Sequence, residues 1–233
     1  MPNRHAELDP NAPPVNPLPW PVLGLAGIMF VIELAFMLGA EGIIGGAQAV
    51  GWRLAAMQEY AFSDTAFNWM FETGRYPLDV LQRFVTYSFV HFSFTHALFA
   101  IVILLAIGKA VGNVLSPVAI LLVFFGASIG GAALYGAVYD TRQALAGAYT
   151  GDYGLIGAFT YLLMVNLAAA GANKYQAFTF IGMLMGIRML FALVFGGSPD
   201  WIADVAGFAI GFGLTIFLAP GGWNLFLAQI RRR

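Results

Sequence analysis

Four ionisable side chains interrupt stretches of sequence that are otherwise apolar: Glu33, His96, Arg188 and Asp204. A charge at the centre of a bilayer costs about 2.5–3.5 kcal/mol on insertion scales, so each needs a partner, a water-filled cavity or a neutral form. Asp204 lies about one turn into the last apolar stretch, and Arg188 about two turns before the end of the preceding one. These similar depths predict an ion pair between Arg188 and Asp204.

Two other arrangements compete with that pair. In one, His96 is the partner of Asp204. In the other, Arg188 extends to the membrane interface and Asp204 faces water. The sequence suggests no partner for Glu33, and it holds too few such groups for a proton relay.

A hydroxyl next to a base could give a nucleophile. Ser93 and His96 are three residues apart, so they can meet on one helix face, and Thr95 and Thr160 are further candidates. Ser and Thr in membrane helices usually bond to backbone carbonyls or hold helices together. We therefore keep a Ser or Thr nucleophile as an alternative interpretation of these polar residues.

A metal site can be drawn from His91, His96 and Asp204, but the two histidines are five residues apart and point in divergent directions on a helix. Zinc ligands converge on one point. The chain has no cysteine, which excludes thiol catalysis and Cys-ligated metals. We expect neither a metal nor another cofactor.

The composition is that of an integral membrane protein. Of the 233 residues, 60% are hydrophobic and 10% are charged, against roughly 25% charged residues in a soluble domain. The net charge of −1 gives no indication of nucleic-acid binding. We expect membrane lipid as the surrounding solvent.

Six apolar stretches approach the length that crosses a hydrocarbon core. The third should begin with Ser116 as N-cap and Pro117 in the first turn. The chain is therefore predicted to be an all-α bundle of six transmembrane helices, with approximate spans 20–40, 89–111, 117–139, 154–171, 175–195 and 201–218.

The segment 41–88 separates the first two spans and is more polar. Phe67, Met70 and Phe71 recur at helical spacing, as do Leu54 and Met57. Short amphipathic helices at the membrane surface are one interpretation, and an ordinary folded loop is the other.

The ends of the chain are polar. Residues 1–19 are predicted to be a disordered tail, residues 20–219 the membrane domain, and residues 220–233 a short amphipathic and basic tail. Lys and Arg are more frequent on the side that holds both termini, which predicts that the termini lie in the cytoplasm. The first span is too long for a signal-peptide core, so we expect it to be retained.

Small residues form stripes in two of the spans. Ala203, Gly207 and Gly211 share one face of the last span, and Gly154 and Gly157 lie near one face of the fourth. Small residues let two backbones approach closely in lipid. We expect these two helices to be in intimate contact.

Three stretches resemble the rhomboid family of intramembrane proteases, and the resemblance runs from about Arg83 to Gly211. Residues 91–100 are similar to the family's His-x4-His-x3-Asn stretch at the start of its second helix. Residues 154–159 are similar to its Gly-x-Ser-Gly stretch, and residues 203–211 to its Ala-His-x2-Gly-x3-Gly stretch. The resemblance implies a six-helix rhomboid fold.

The departures from the family pattern concern its catalytic positions. The Ser nucleophile aligns with Ile156, or with Tyr153 if the match is shifted by three residues. The His base aligns with Asp204 and the oxyanion Asn with Ala100, while His96 is retained. An aliphatic side chain has no lone pair for attack, so we expect no catalytic residue.

The resemblance therefore implies a degenerate, pseudoprotease-like member in a bacterial inner membrane. Its predicted role is to bind or stabilise transmembrane segments of partner proteins. An active serine protease with a relocated nucleophile is the alternative, and a small transporter or channel is third. The absence of internal repeats disfavours the transporter. The oligomeric state and the identity of the partner stay open.

Overall fold

The computed structural model describes residues 17–141, 143–195 and 199–222, and the chain is helical over most of them. In chain order the elements are α1 (Trp20–Ala40), α2 (Trp52–Tyr60), β1 (Phe62–Ser63), α3 (Asp64–Thr73), α4 (Leu78–Leu81), α5 (Arg83–Thr86), α6 (Phe94–Gly112), α7 (Pro117–Val138), β2 (Ala144–Leu145), α8 (Tyr149–Ala169), α9 (Thr179–Phe195) and α10 (Trp201–Leu218), with 3₁₀ turns at Gly46–Gly51, Tyr87–Phe89 and Lys174–Phe178.

Five of these helices are long and apolar enough to cross a membrane: α1, α6, α7, α8 and α10. The chain is thus an all-helical, multi-pass membrane protein. The remaining predicted span corresponds to α9, whose 17 residues are at the lower limit of the length that crosses a hydrocarbon core. The predicted tails lie almost entirely outside the described residues.

Two helix starts differ from the sequence-based prediction. α6 begins at Phe94, five residues after the predicted start, because Ser93 caps it by accepting a hydrogen bond from the His96 amide at 3.2 Å. α8 begins at Tyr149, five residues before its predicted start. Ser116 caps α7 as predicted, accepting from the Ala119 amide at 3.2 Å, and Pro117 follows it.

The segment between α1 and α6 contains the short helices α2 to α5 and the strand β1. The location of these helices at the membrane surface stays a prediction. Phe67 and Met70 on α3 are buried, whereas Phe71 is exposed. β1 pairs with β2 in an antiparallel ladder of two residues each. Asp64 accepts a hydrogen bond from the Thr141 amide at 2.6 Å. These contacts fasten the segment to the connection between α7 and α8.

α8 is the central helix, and it packs on α6, α7 and α10. A Cβ at Gly207 would overlap the Thr150 carbonyl oxygen, and one at Gly211 would overlap the Gly154 backbone. From Gly207 to Gly211 along α10, the contact moves from Thr150 to Gly154 along α8. The two helices are therefore parallel. Gly157 likewise abuts the Phe208 carbonyl of α10. The close contact that the small residues predicted is present.

Candidate functional site

Asp204 is the centre of a polar cluster at the N-terminal ends of α8 and α10. It lies in the first turn of α10 and is 1% exposed. Its Oδ1 accepts a hydrogen bond from Thr150 Oγ1 of α8 at 3.1 Å. Its Oδ2 accepts one from Arg188 Nη1 of α9. Both oxygens of the buried carboxylate therefore have partners.

Arg188 ties α9 to the start of α10. Besides its ion pair with Asp204, its Nη2 lies 2.7 Å from Oδ1 of Asp200, the residue before α10. The single positive charge of the guanidinium is thus shared between two carboxylates. The contact between Arg188 and Asp204 is the one that their depths in the sequence predicted.

The side chain of α8 that hydrogen-bonds to Asp204 is Thr150, and not Ile156 or Tyr153, the two positions that the family resemblance set against it. The alignment placed Ile156 opposite Asp204, but Ile156 lies six residues further along, about 9 Å deeper at the rise of an α-helix. It is fully buried in an apolar cluster with Tyr153 and Ile181. The predicted start of α8 had left Tyr149 and Thr150 in a loop.

His96 lies beside Tyr149 and does not take the place of Arg188 at Asp204. The two rings stack with centroids 4.9 Å apart and planes inclined by 24°. Among the described residues His96 Nδ1 has no hydrogen-bond partner although the atom is buried. Ala100, one turn further along α6, is buried in the main apolar core. The tyrosine ring therefore occupies the space next to the imidazole.

His91 connects this cluster to the preceding segment. Its Nε2 accepts a hydrogen bond from the Ala148 amide at 3.3 Å, just before α8. Its carbonyl oxygen accepts one from Arg53 Nη1 at 2.8 Å. Burial lowers the pKa of His91 to about 3, and the positive charge of nearby groups such as Arg53 acts in the same direction. The imidazole is therefore neutral at physiological pH, as its acceptor role requires.

Gly147 makes the approach of the two histidine rings possible. Its φ of 100° lies in the left-handed region that favours glycine. A Cβ there would lie 2.7 Å from Cε1 of His96 and 3.2 Å from Cδ2 of His91. The turn between β2 and α8 thus has to be built from glycine.

Arg53 is the partner of Glu33 that the sequence did not suggest. Glu33 is buried within α1, and both of its oxygens accept hydrogen bonds from the Arg53 guanidinium, one of them at 3.0 Å. The guanidinium also lies over the Phe36 ring, 5.1 Å from its centroid. A membrane-helix carboxylate is thereby neutralised by a cation from α2.

A model of the rhomboid domain matches residues 79–221. The chain belongs to the rhomboid family. No curated protein matches it. The matched region contains every member of the Asp204 cluster, whereas Glu33 and Arg53 lie before it.

The rhomboid family includes serine proteases. In this rhomboid, the hydroxyl that meets the first turn of α10 belongs to Thr150, and the group that accepts its hydrogen bond is a carboxylate. A hydroxyl within reach of a base is the elementary unit of nucleophilic catalysis. Here that unit is buried, and its base carries an ion pair to Arg188.

Asp152 is a further buried ionisable residue of this rhomboid, and the sequence-based prediction did not include it. Its side chain is fully buried in α8 and makes no hydrogen bond with any described residue. It falls in the segment predicted as a loop before the fourth span, where an acidic residue is ordinary. Among the residues that the structure describes, no three His, Asp or Glu side chains cluster as metal ligands.

Proposed function

We propose that this rhomboid is non-catalytic and binds or stabilises transmembrane segments of partner proteins, as a scaffold, a chaperone or a subunit of a complex. The observation that carries the proposal is that both oxygens of Asp204 are taken, by Arg188 and by Thr150. A general base must take up a proton when substrate is in place. Protonation of Asp204 would give up its ion pair with Arg188.

The packing around Thr150 supports the same conclusion. The residue is 1% exposed. A Cβ at Gly131 of α7 would overlap its methyl group, and one at Gly207 of α10 would overlap its carbonyl oxygen. A peptide carbonyl cannot reach the hydroxyl without separating α8 from α7 and α10.

α9 offers a face on which a partner helix can dock. A Cβ added at Gly182 or Gly186 would meet no described atom within 4 Å, so the backbone there is accessible. Met183 and Ile187 beside them are exposed apolar residues. A small-xxx-small face of this kind permits close helix association in lipid. Arg188 of this helix forms an ion pair with Asp204 of α10.

The experiment is photo-crosslinking from α9 in native membranes. A diazirine amino acid at Ile187 should capture a transmembrane segment of another protein, identified by mass spectrometry of the crosslinked peptide. Gly182→Leu with Gly186→Leu should abolish that crosslink. Gly24→Leu with Gly27→Leu on α1 is the matched control, because those glycines also have open space around them.

Hydrolysis is measured separately, with the purified chain reconstituted in liposomes. Proteoliposomes with a fluorogenic transmembrane peptide should show no cleavage above empty liposomes, while an active rhomboid protease cleaves the peptide. Cleavage by the purified chain would refute the non-catalytic proposal. Crosslinks to lipid alone would refute partner binding from this face.

The hydrogen bond from Thr150 to Asp204 favours one alternative, an active protease with Thr150 as nucleophile. A fluorophosphonate probe distinguishes the two proposals. Labelling that Thr150→Val abolishes would establish the protease. We expect no labelling of the parent chain.

We also propose that the termini lie on the cytoplasmic side of a bacterial inner membrane. Lys109 near the end of α6 and Lys174 before α9 lie on the side where α1 begins, whereas Arg53, Arg75 and Arg83 lie in the segment between α1 and α6. Arg142, Arg231, Arg232 and Arg233, which also entered the count of Lys and Arg, are outside the described residues. Cysteine accessibility at Lys174→Cys, against Arg75→Cys, tests the orientation.

A further inference from the structure

A cavity of about 600 Å³ lies between the end of α1, α2 and the residues just before α6. Most of its lining is apolar, and Phe36, Ala40, Leu54, Met57 and Phe92 contribute to it. Arg53 is the charged residue in the lining. The volume is in the range of small-molecule sites, which combine apolar walls with a few polar groups.

Exposed apolar side chains surround the cavity. Ile43, Val50 and Leu54 are exposed apolar side chains around the connection from α1 to α2, and Met37 is exposed on the last turn of α1. Since α1 is long and apolar enough to cross a membrane, its end marks the level at which hydrocarbon meets headgroups. The cavity therefore lies at the depth of the lipid phosphates and upper acyl chains.

Arg53 keeps hydrogen-bonding capacity for a ligand. A guanidinium has five N–H donors. Three of them bond to the two oxygens of Glu33 and to the His91 carbonyl, which leaves the Nε–H and one Nη2–H without a described partner. The side chain is 26% exposed. Two donors in fork geometry match the oxygens of a phosphate.

We infer that this cavity binds a membrane phospholipid, with its phosphate on Arg53 and an acyl chain along Leu54, Met57 and Phe36. A phospholipid carries a phosphate next to the start of its hydrocarbon chains. The cavity likewise places the Arg53 guanidinium next to an apolar wall, at the same depth in the membrane. A transmembrane helix fits less well, because its backbone carbonyls are satisfied within the helix and offer nothing to the Arg53 donors. This inference is independent of the proposed function.

The test uses the full chain in liposomes of phosphatidylglycerol and phosphatidylethanolamine with a trace of phosphatidylglycerol that carries a diazirine in its acyl chain. Crosslinks should concentrate on the peptide that contains Leu54 and Met57. Ala40→Trp fills the cavity without touching the Glu33–Arg53 pair and should lower that labelling at least about tenfold. Ala55→Trp, on exposed α2 surface outside the lining, should leave it unchanged.

Competition tests the phosphate. Unlabelled phosphatidylglycerol should compete about tenfold better than diacylglycerol of the same chain length, the factor expected when a charge-assisted hydrogen bond is lost. Equal competition would overturn the role of Arg53. Uniform labelling along the exposed face of α1, or labelling that survives Ala40→Trp, would overturn the site. If Ala40→Trp lowers the thermal stability, Met57→Trp provides a second filled cavity for the same measurement.

Discussion

Thr150 of α8 donates a hydrogen bond to Asp204 of α10 at 3.1 Å. This contact sets the register of two parallel helices, and it places the buried polar centre of the protein in the first turn of each. Any chemistry at this position has to begin from a hydroxyl enclosed by Gly131 and Gly207 and from a carboxylate that is paired with Arg188. The polar groups that stabilise the bundle are thus the same ones that a catalytic interpretation would use.

The Arg188–Asp204 pair should be energetically coupled. Arg188→Ala leaves a buried carboxylate without its cation. We expect a loss of about 2 kcal/mol or more in the free energy of unfolding. This loss is below the roughly 3–5 kcal/mol of a fully buried pair because the Arg188 side chain is partly exposed to solvent. In the Asp204→Asn background the same change should cost much less. Thermal unfolding of the four variants in mild detergent measures the coupling, and simple additivity would refute it.

Asp200 is the matched control for that cycle. Its carboxylate also contacts Arg188, but its side chain is 34% exposed. An ion pair that keeps solvent contact contributes less than a fully buried one, so Asp200→Asn should change the stability less than Arg188→Ala does. A loss as large as that of Arg188→Ala would assign the stabilisation to Asp200 instead.

The glycine contact between α8 and α10 predicts a large difference between two neighbouring substitutions. Gly211→Ala would place a Cβ on the Gly154 backbone, so the helices must separate, and overpacking of this kind typically costs about 1–3 kcal/mol or more. Gly213→Ala meets nothing within 4 Å and should be neutral or slightly stabilising, because Ala favours helix over Gly. The melting temperatures of the two variants check the prediction. Equal effects would mean that α8 and α10 are not in backbone contact.

The long helices could be predicted from the sequence because apolar stretches of this length rarely form any other structure than a membrane-spanning helix. It also predicted the partners Arg188 and Asp204, because a short connection places them at similar depth. It misjudged the start of α8, since Tyr149, Thr150 and Asp152 are residues that also occur in loops. Only the surrounding helices bury them.

The partner of Glu33 could not be predicted from the sequence, for a different reason. Arg53 lies 20 residues away on α2, after a turn whose geometry depends on Gly42, Gly45 and Gly46 at positive φ. Periodicity within each helix says nothing about how that turn folds α2 back onto α1. Long-range pairing of this kind becomes visible only in three dimensions.

His91 should make the stability depend on pH. Burial lowers its pKa to about 3 from 6.5, so the unfolded chain binds a proton between these values and the folded chain does not. Stability should therefore fall as the pH falls below about 6.5, by up to about 1.4 kcal/mol per pH unit. His91→Gln keeps an acceptor for the Ala148 amide but does not titrate. Thermal unfolding from pH 7 to pH 5 should show a smaller slope for this variant, and an unchanged slope would contradict the assignment.

Asp152 should reduce the stability of the folded protein. Its carboxyl is fully buried and has no hydrogen-bond partner among the described residues, and a buried polar group without a partner costs about 1–3 kcal/mol. Asp152→Val should therefore raise the melting temperature. Asp64→Val provides the contrast, because Asp64 is equally buried but accepts hydrogen bonds from Thr65 and Thr141, so its loss should lower the melting temperature. If Asp152→Val is as destabilising as Asp64→Val, the prediction is wrong. The Asp152 carboxylate would then stabilise the folded protein through a hydrogen-bond partner, as the Asp204 carboxylate does.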